Sequence, residues 1–539
     1  MPEAGGQPKN EAKSLPESRV AERIEPDSEH LKLTSVELRD RTDLLDEVVA
    51  ENTWLVHSRD REMKLCGNLF VLEDTVGAKG WIFLRKGPLP HARPWWPGPD
   101  LRVHQKGARG FEFELFDLPG SGSDRGWEVL EYSGGRYERS KVLQKWQRSV
   151  RPSTDAHQTP RFLTNTWGDR SQDSRVCESF VSQEIDAAKR LGGEIVQIDD
   201  GWQKGITGNS ALSDELGGRS EHFRKGDPEF WQPHPERFPD GVRPLVDKAE
   251  RAGLEIGLWF APDPGDDHAN WEADARRILE LHNTLGVRFF KIDGTKSGTY
   301  EADRNFVRFY RKVLTDSNGE ICLDIDVTGR ALRVGYLGAG AAGPIFVENR
   351  YTDWHGYWPH HTLRNLWQLA RWIDPARLRM EFLNKNRNQE KYADDPLAPV
   401  HYPPDTLFAT TMFCNPLGWF EVSNLPEAYF KTVPPLVELW KSQREQIFGG
   451  TVLPIGPAPD GVSYTGFLTV DDAGKEGLGL IFREANTESR GFIGAPDITP
   501  GEFACETLTG DGECKWKDRR IVADIPDKFG YTFFRFWRD

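Results

Sequence analysis

Apolar and polar residues follow one another along the chain in three rhythms. From about residue 31 to 155 short alternating runs such as NTWLVHS (52–58), GWIFLRK (80–86) and FEFELFD (111–117) are separated by Gly- and Pro-rich turns, which predicts an antiparallel β domain. From about 156 to 450 brief β-type runs alternate with longer segments of helical spacing. The runs are RFLTNTW (161–167), EIVQIDDGW (194–202), LEIGLWFAP (254–262), VRFFKIDG (287–294), EICLDIDVT (320–328), GPIFVENRY (343–351) and LRMEFLN (378–384), with an eighth at NPLGWF (415–420). Between them CESFVSQEIDAAKRLGG and VRPLVDKAERAG place apolar residues on one helical face and a glycine at the stop. Strand and helix alternating about eight times predict a parallel (β/α)8 TIM barrel. Residues 451–539 return to short strands and predict a C-terminal β-sandwich. Residues 1–30, charged and poor in aliphatics, read as a disordered arm.

Within the barrel pattern the polar positions fall where a scaffold would not put them. In RFFKIDG, period-2 alternation directs Phe289, Lys291 and Asp293 to one face and Phe290 and Ile292 to the other. In ICLDIDVT the same rule places Asp324 and Asp326 together on the lumen face. A barrel strand is covered on both sides, so a charge on it is costly unless it meets other polar groups or a substrate. A single strand-end aspartate is commonly a helix cap or a turn residue. Here strand after strand ends in carboxylates, Asp199 and Asp200, Asp293, Glu348 and Asp353, beside Trp167, Trp202, Trp259 and Trp354, and a cap needs no tryptophan. Two carboxylates across a cleft suffice to cleave a glycosidic bond, one attacking the anomeric carbon while the other protonates the leaving oxygen. Asp293 is the candidate nucleophile, with Lys291 holding it ionised; the competing reading of this pair is a buried structural salt bridge.

Composition narrows the classes. A net charge of −15 argues against nucleic-acid or anionic-membrane partners, and 19 Trp suit a protein that stacks sugars. Six cysteines give no disulfide framework or zinc spacing, and only Cys505 and Cys514 are close enough in sequence to invite pairing. His355, His360 and His361 match no common zinc motif, so no metal is expected. No signal-peptide core and no apolar run of membrane-spanning length occur, so the chain reads as soluble, with its compartment open.

Over residues 161 to about 450 the chain resembles clan D glycoside hydrolases, especially the family 36 α-galactosidases. The resemblance rests on motifs in order: N-x-W on the first strand, DDGW on the second, RFPDGVRPLVDKAERAGLEIGLWFAPD leading into the third, FFKIDG on the fourth and LFATTMFCNPLGWF near the last. It implies that Asp293 is the nucleophile, Lys291 a sugar-binding lysine, and Asp199 and Asp200 the pair that holds the 4- and 6-hydroxyls of galactose, with Trp202 beside them. The acid/base is implied at the tip of strand six, where Asp353 and Glu348 compete and Asp353 has the small residue before it. The chain departs from the family after strand five: DIDVTGR keeps Gly329 and Arg330 but puts Asp324 where a cysteine would align, which opens the question of the C2 substituent. The N-terminal β domain is also shorter than the family's.

The expectation is therefore a retaining exo-glycosidase acting on terminal α-linked galactose, or a closely related sugar, in an oligosaccharide or polysaccharide, without a cofactor. Alternatives are another α-glycosidase or transglycosylase on the same scaffold, a non-catalytic carbohydrate-binding barrel, and a metal-assisted hydrolase. Self-association stays open.

Overall fold

The computed structural model describes residues 19–38, 47–56, 62–87, 96, 98–107, 109–118, 126–169, 171–211, 229–295, 298–326, 342–347, 357–495, 498 and 501–538. At its centre eight parallel strands close into a barrel in sequence order: Leu163–Asn165, Ile195–Ile198, Glu255–Phe260, Phe289–Ile292, Cys322–Asp326, Ile345–Val347, Leu378–Phe382 and Asn415–Trp419. The first strand pairs with the eighth, Leu163 opposite Leu417 and Asn165 opposite Trp419, so the sheet has no edge.

Period-2 alternation sorts the strand residues as the sequence predicts. Leu163, Ile195, Phe289, Cys322, Phe346 and Leu417 form one apolar cluster inside the barrel. Their neighbours Val196, Phe290, Ile292, Leu323, Ile325 and Ile345 join the larger core shared with the surrounding helices. Helices Glu178–Leu191 and Arg243–Ala252 bury Val181, Ile185 and Ala188, and Leu245, Val246 and Ala249, respectively, and both stop at a glycine. The apolar face of each helix therefore closes the outside of the strands it connects.

Two β-sandwiches flank the barrel. The N-terminal one packs a four-stranded sheet, ordered Arg19–Ile24, Gly110–Asp117, Leu101–Lys106, Met63–Leu65, against a five-stranded sheet, ordered Val49–Val56, Leu31–Leu38, Leu69–Asp74, Lys79–Arg85, Trp127–Ser133. Their shared core includes Leu33, Phe70, Phe83 and Phe113. Arg19–Ile24 pairs with Gly110–Asp117, so the stretch read as an arm over residues 1–30 ends in an edge strand of this sandwich; its charged composition fits a strand with one solvated face. The helix Arg136–Ser149 is not visible in the β texture of that region. It ties all three parts together: Gln144 Nε2 donates to Val452 O at 2.7 Å, Gln147 Nε2 to Trp372 O at 2.9 Å, and Arg148 pairs with Asp374 at 2.9 Å.

The C-terminal sandwich sets a five-stranded sheet, ordered Thr451–Ile455, Tyr464–Val470, Glu476–Arg483, Gly530–Trp537, Ala504–Gly510, against the three strands Arg490–Gly494, Arg520–Asp524 and Glu513–Lys517. Among the described residues no helix is long and apolar enough to cross a membrane.

Candidate functional site

Side chains of the first, second and fourth strands converge at the C-terminal mouth of the barrel. Lys291 Nζ donates to Asp199 Oδ2 at 3.1 Å, both residues being almost fully buried. The same oxygen accepts Asn165 Nδ2 at 2.7 Å, and that amide also donates to Gln197 Oε1 at 2.7 Å. The backbone N–H of Asp199 bonds Thr166 Oγ1 at 3.1 Å. Two aromatic faces flank the ammonium, Phe346 at 4.7 Å and Trp419 at 4.8 Å from their ring centroids. A lysine set between two rings and a carboxylate is attracted on three sides, which offsets part of the cost of burial.

Asp293 follows the fourth strand directly and is half-buried. The indole N–H of Trp259 donates to its Oδ2 at 3.3 Å, the backbone N–H of Gly294 to its Oδ1 at 2.5 Å, and its own N–H bonds Phe260 O at 3.0 Å. The carboxylate is thus aimed by donors on both oxygens. Trp259 is held in turn: Trp202 Nε1 donates to its carbonyl at 2.9 Å, and Trp231 lies 5.8 Å from its ring while stacking on Phe260 at 4.1 Å. Trp202 is fully buried, so it works as the wall behind Trp259. Trp167 stands at the end of the first strand, its backbone N–H bonded to Asn165 Oδ1 at 2.8 Å.

Asp200 points elsewhere than Asp199. Gln203 Nε2 donates to its Oδ1 at 2.6 Å and Thr207 Oγ1 to its Oδ2, and complete burial pushes its pKa up to about 7. These bonds fold the loop after strand two back on itself. The turn needs Gly201, which has φ +112 and leaves no room for a Cβ, since that atom would lie 2.4 Å from Asp173 Cβ.

Asp324 does occupy the lumen face, but deep in it. It shares a rung with Lys291 and is fully buried against Arg379 of the seventh strand, Nε to Oδ2 at 2.8 Å. Burial raises its pKa and the guanidinium opposes that rise. Glu348, Asp353, Arg330, Trp354 and His355 lie outside the described residues.

The structure therefore brings together Lys291, Asp199, Asp293 and Trp259, with Trp167 at the rim. It adds Asn165, Gln197, Phe346, Trp419 and Arg379, which sequence reasoning did not single out as site residues. Alternation alone marks Trp419 and Arg379 as lumen positions, but only the closed barrel shows that strands four and eight face each other. Among the described residues no group of three or more His, Cys, Asp and Glu is placed to hold a metal ion. His360 and His361 form an edge-to-face ring pair at 4.5 Å, and burial pulls the pKa of His360 down to about 4.

No family model matches the chain. Among curated proteins it is 31% identical over 168 residues to alpha-galactosidase 2 of Pediococcus pentosaceus, a match covering 30% of this chain and 21% of that one. It is 30% identical over 143 residues to alpha-galactosidase Mel36A of Lactobacillus acidophilus, covering 26% of this chain and 16% of that one. The chain thus spans about a fifth of the length of these relatives. Among solved structures, the family 36 α-galactosidase AgaA of Geobacillus stearothermophilus aligns with a TM-score of 0.67 at 12% identity, covering 96% of this chain and 76% of that one. The α-galactosidase of Lactobacillus brevis aligns at 0.66 and 12%, covering 96% and 75%. In sequence over part of its length, and in fold over nearly all of it, the chain resembles the family 36 α-galactosidases.

Proposed function

We propose that this protein is a retaining exo-glycosidase that hydrolyses terminal α-linked galactose, or another galacto-configured sugar, by double displacement. The observation that carries the reading is Asp293: a half-buried carboxylate at the C-terminal end of a barrel strand, aimed by Trp259 and Gly294, above a buried Lys291–Asp199 pair. Asp293 attacks the anomeric carbon to give a glycosyl-enzyme, and Asp353 or Glu348 first protonates the leaving oxygen and then activates water. Lys291 and Asp199 take hydroxyls of the bound sugar, and Arg330 is assigned to its C2 side. Asp200 braces the turn that carries Asp199. The relatives are named α-galactosidases, and variants of the Geobacillus enzyme have been solved in complex with stachyose and raffinose, which favours α-galactosyl oligosaccharides as the substrate class.

The test is a panel of aryl α- and β-glycosides (galactoside, N-acetylgalactosaminide, glucoside, arabinopyranoside) given to the wild type and to Asp293→Asn, with the first-formed anomer read by proton NMR. An α-galacto-configured member is turned over, releases the α-anomer first, and is no longer hydrolysed by the variant. Release of the β-anomer overturns double displacement. Sugar binding without turnover of any member by the folded wild type overturns the enzyme reading in favour of a binding barrel.

A further inference from the structure

The C-terminal sandwich holds two thiols where its two sheets meet. Strand Ala504–Gly510 is the edge of the five-stranded sheet and Glu513–Lys517 the edge of the three-stranded one, and Asp511 and Gly512 connect them. Two contacts fix how these strands face each other. Phe503 and Trp516 form an antiparallel bridge, and Thr507 Oγ1 donates to Gly512 O at 3.1 Å. Counting inward from either contact puts Cys505 directly opposite Cys514. Directly opposed residues of an antiparallel pair have Cα atoms about 4.5–5.5 Å apart, within the span a disulfide bridges. The Cys505 thiol donates to Phe503 O of its own strand at 3.8 Å, and Cys514 lies near enough to feel Cys505 electrostatically. Both are free thiols, Cys505 half-buried and Cys514 buried, and both line an open cleft of about 650 Å³.

We propose that Cys505 and Cys514 form a reversible cross-strand disulfide that locks the two sheets of the C-terminal sandwich together. The oxidant is a low-molecular-weight disulfide entering the cleft. The Cys505 thiolate attacks one of its sulfurs, forming a mixed disulfide and releasing one thiolate. Cys514 gives its proton to solvent and attacks the Cys505 sulfur, forming the protein disulfide and releasing the second thiolate. The protein loses two electrons and the small disulfide gains them. Cys505 goes first because it is the more accessible, and because burial pushes its pKa up only to about 11, less far than that of Cys514. Oxidation is slow at neutral pH and speeds up as the pH rises towards 11.

The full chain is incubated with oxidised glutathione at about pH 8.5, alkylated, digested without reductant and analysed by mass spectrometry. The expected product is a peptide linking Cys505 to Cys514, with a rise in melting temperature of roughly 5 °C that dithiothreitol reverses. Cys505→Ser and Cys514→Ser each abolish both signals, and either variant alone suffices if the other fails to fold. Exposed Cys66 reports that the reagent is active. Glutathionylation at Cys66 without the linked peptide, or a stable mixed disulfide at Cys505 that never resolves, overturns the proposal.

Discussion

Two layers of charge lie inside the barrel and are treated differently. Lys291 and Asp324 sit on one rung of adjacent strands, yet they turn apart. Lys291 goes to Asp199 and the Phe346 and Trp419 rings, below a half-buried Asp293. Asp324 goes to Arg379, and that pair is sealed from solvent. Charge that is wholly buried must be neutralised where it stands, whereas a carboxylate at the opening can be held by N–H donors and still present an oxygen to a ligand. The gradient of exposure along a strand therefore separates chemistry from scaffold, which the mere presence of a carboxylate does not.

The largest effect that tests this contrast comes from Asp293→Asn, which lowers kcat by ~10³-fold or more while the protein keeps its melting temperature. Loss of fold together with activity would place Asp293 in the scaffold. Arg379→Met should do the reverse, destabilising the protein by about 3–5 kcal/mol because Asp324 is left buried without its partner, and pairing it with Asp324→Leu should restore most of that loss. Denaturant unfolding of the two single variants and the double variant measures the coupling. A double variant that regains stability but loses sugar affinity would mean that the lower layer touches substrate. Lys291→Met is expected to fall between these, with kcat/KM reduced about 10²-fold and a smaller loss of stability, since Asn165 still donates to Asp199.

Much of this was legible in the sequence for simple physical reasons. The eight strands emerge from the alternation of β-type runs with helical spacing, and the lumen positions of Phe289, Lys291, Cys322 and Asp324 follow from period 2. What one strand's pattern cannot show is its partner across the barrel. The sequence puts Asp324 on the lumen face but does not show its partner Arg379, 55 residues on. Trp202 reads as a rim tryptophan until the loop after strand two folds it behind Trp259. The helix Arg136–Ser149 is hidden by its weak amphipathicity, since it buries polar groups such as Gln144 and Gln147 that bond the other two domains.

The smallest effect concerns the neighbours Asp199 and Asp200. Burial pushes the pKa of Asp200 up to about 7, and does the same for Asp169, Asp274 and Glu484. Each folded-state value lies above its unfolded one, so the stability these groups contribute is complete below about pH 4 and is lost as pH rises through 7. His157 and His360, drawn down to about 4, act in the opposite sense, but only between about pH 4 and 6.5. Above pH 6.5 the carboxylates act alone among these groups, and the free energy of unfolding should fall between pH 6.5 and 8, by on the order of 1 kcal/mol per group, with a matching drop in melting temperature. Asp200→Asn removes one contribution while keeping an acceptor for Thr207, so its profile should be flatter than that of the wild type. A variant with the wild-type slope would show Asp200 already ionised in the folded protein at neutral pH, its charge then held by the Gln203 and Thr207 donors.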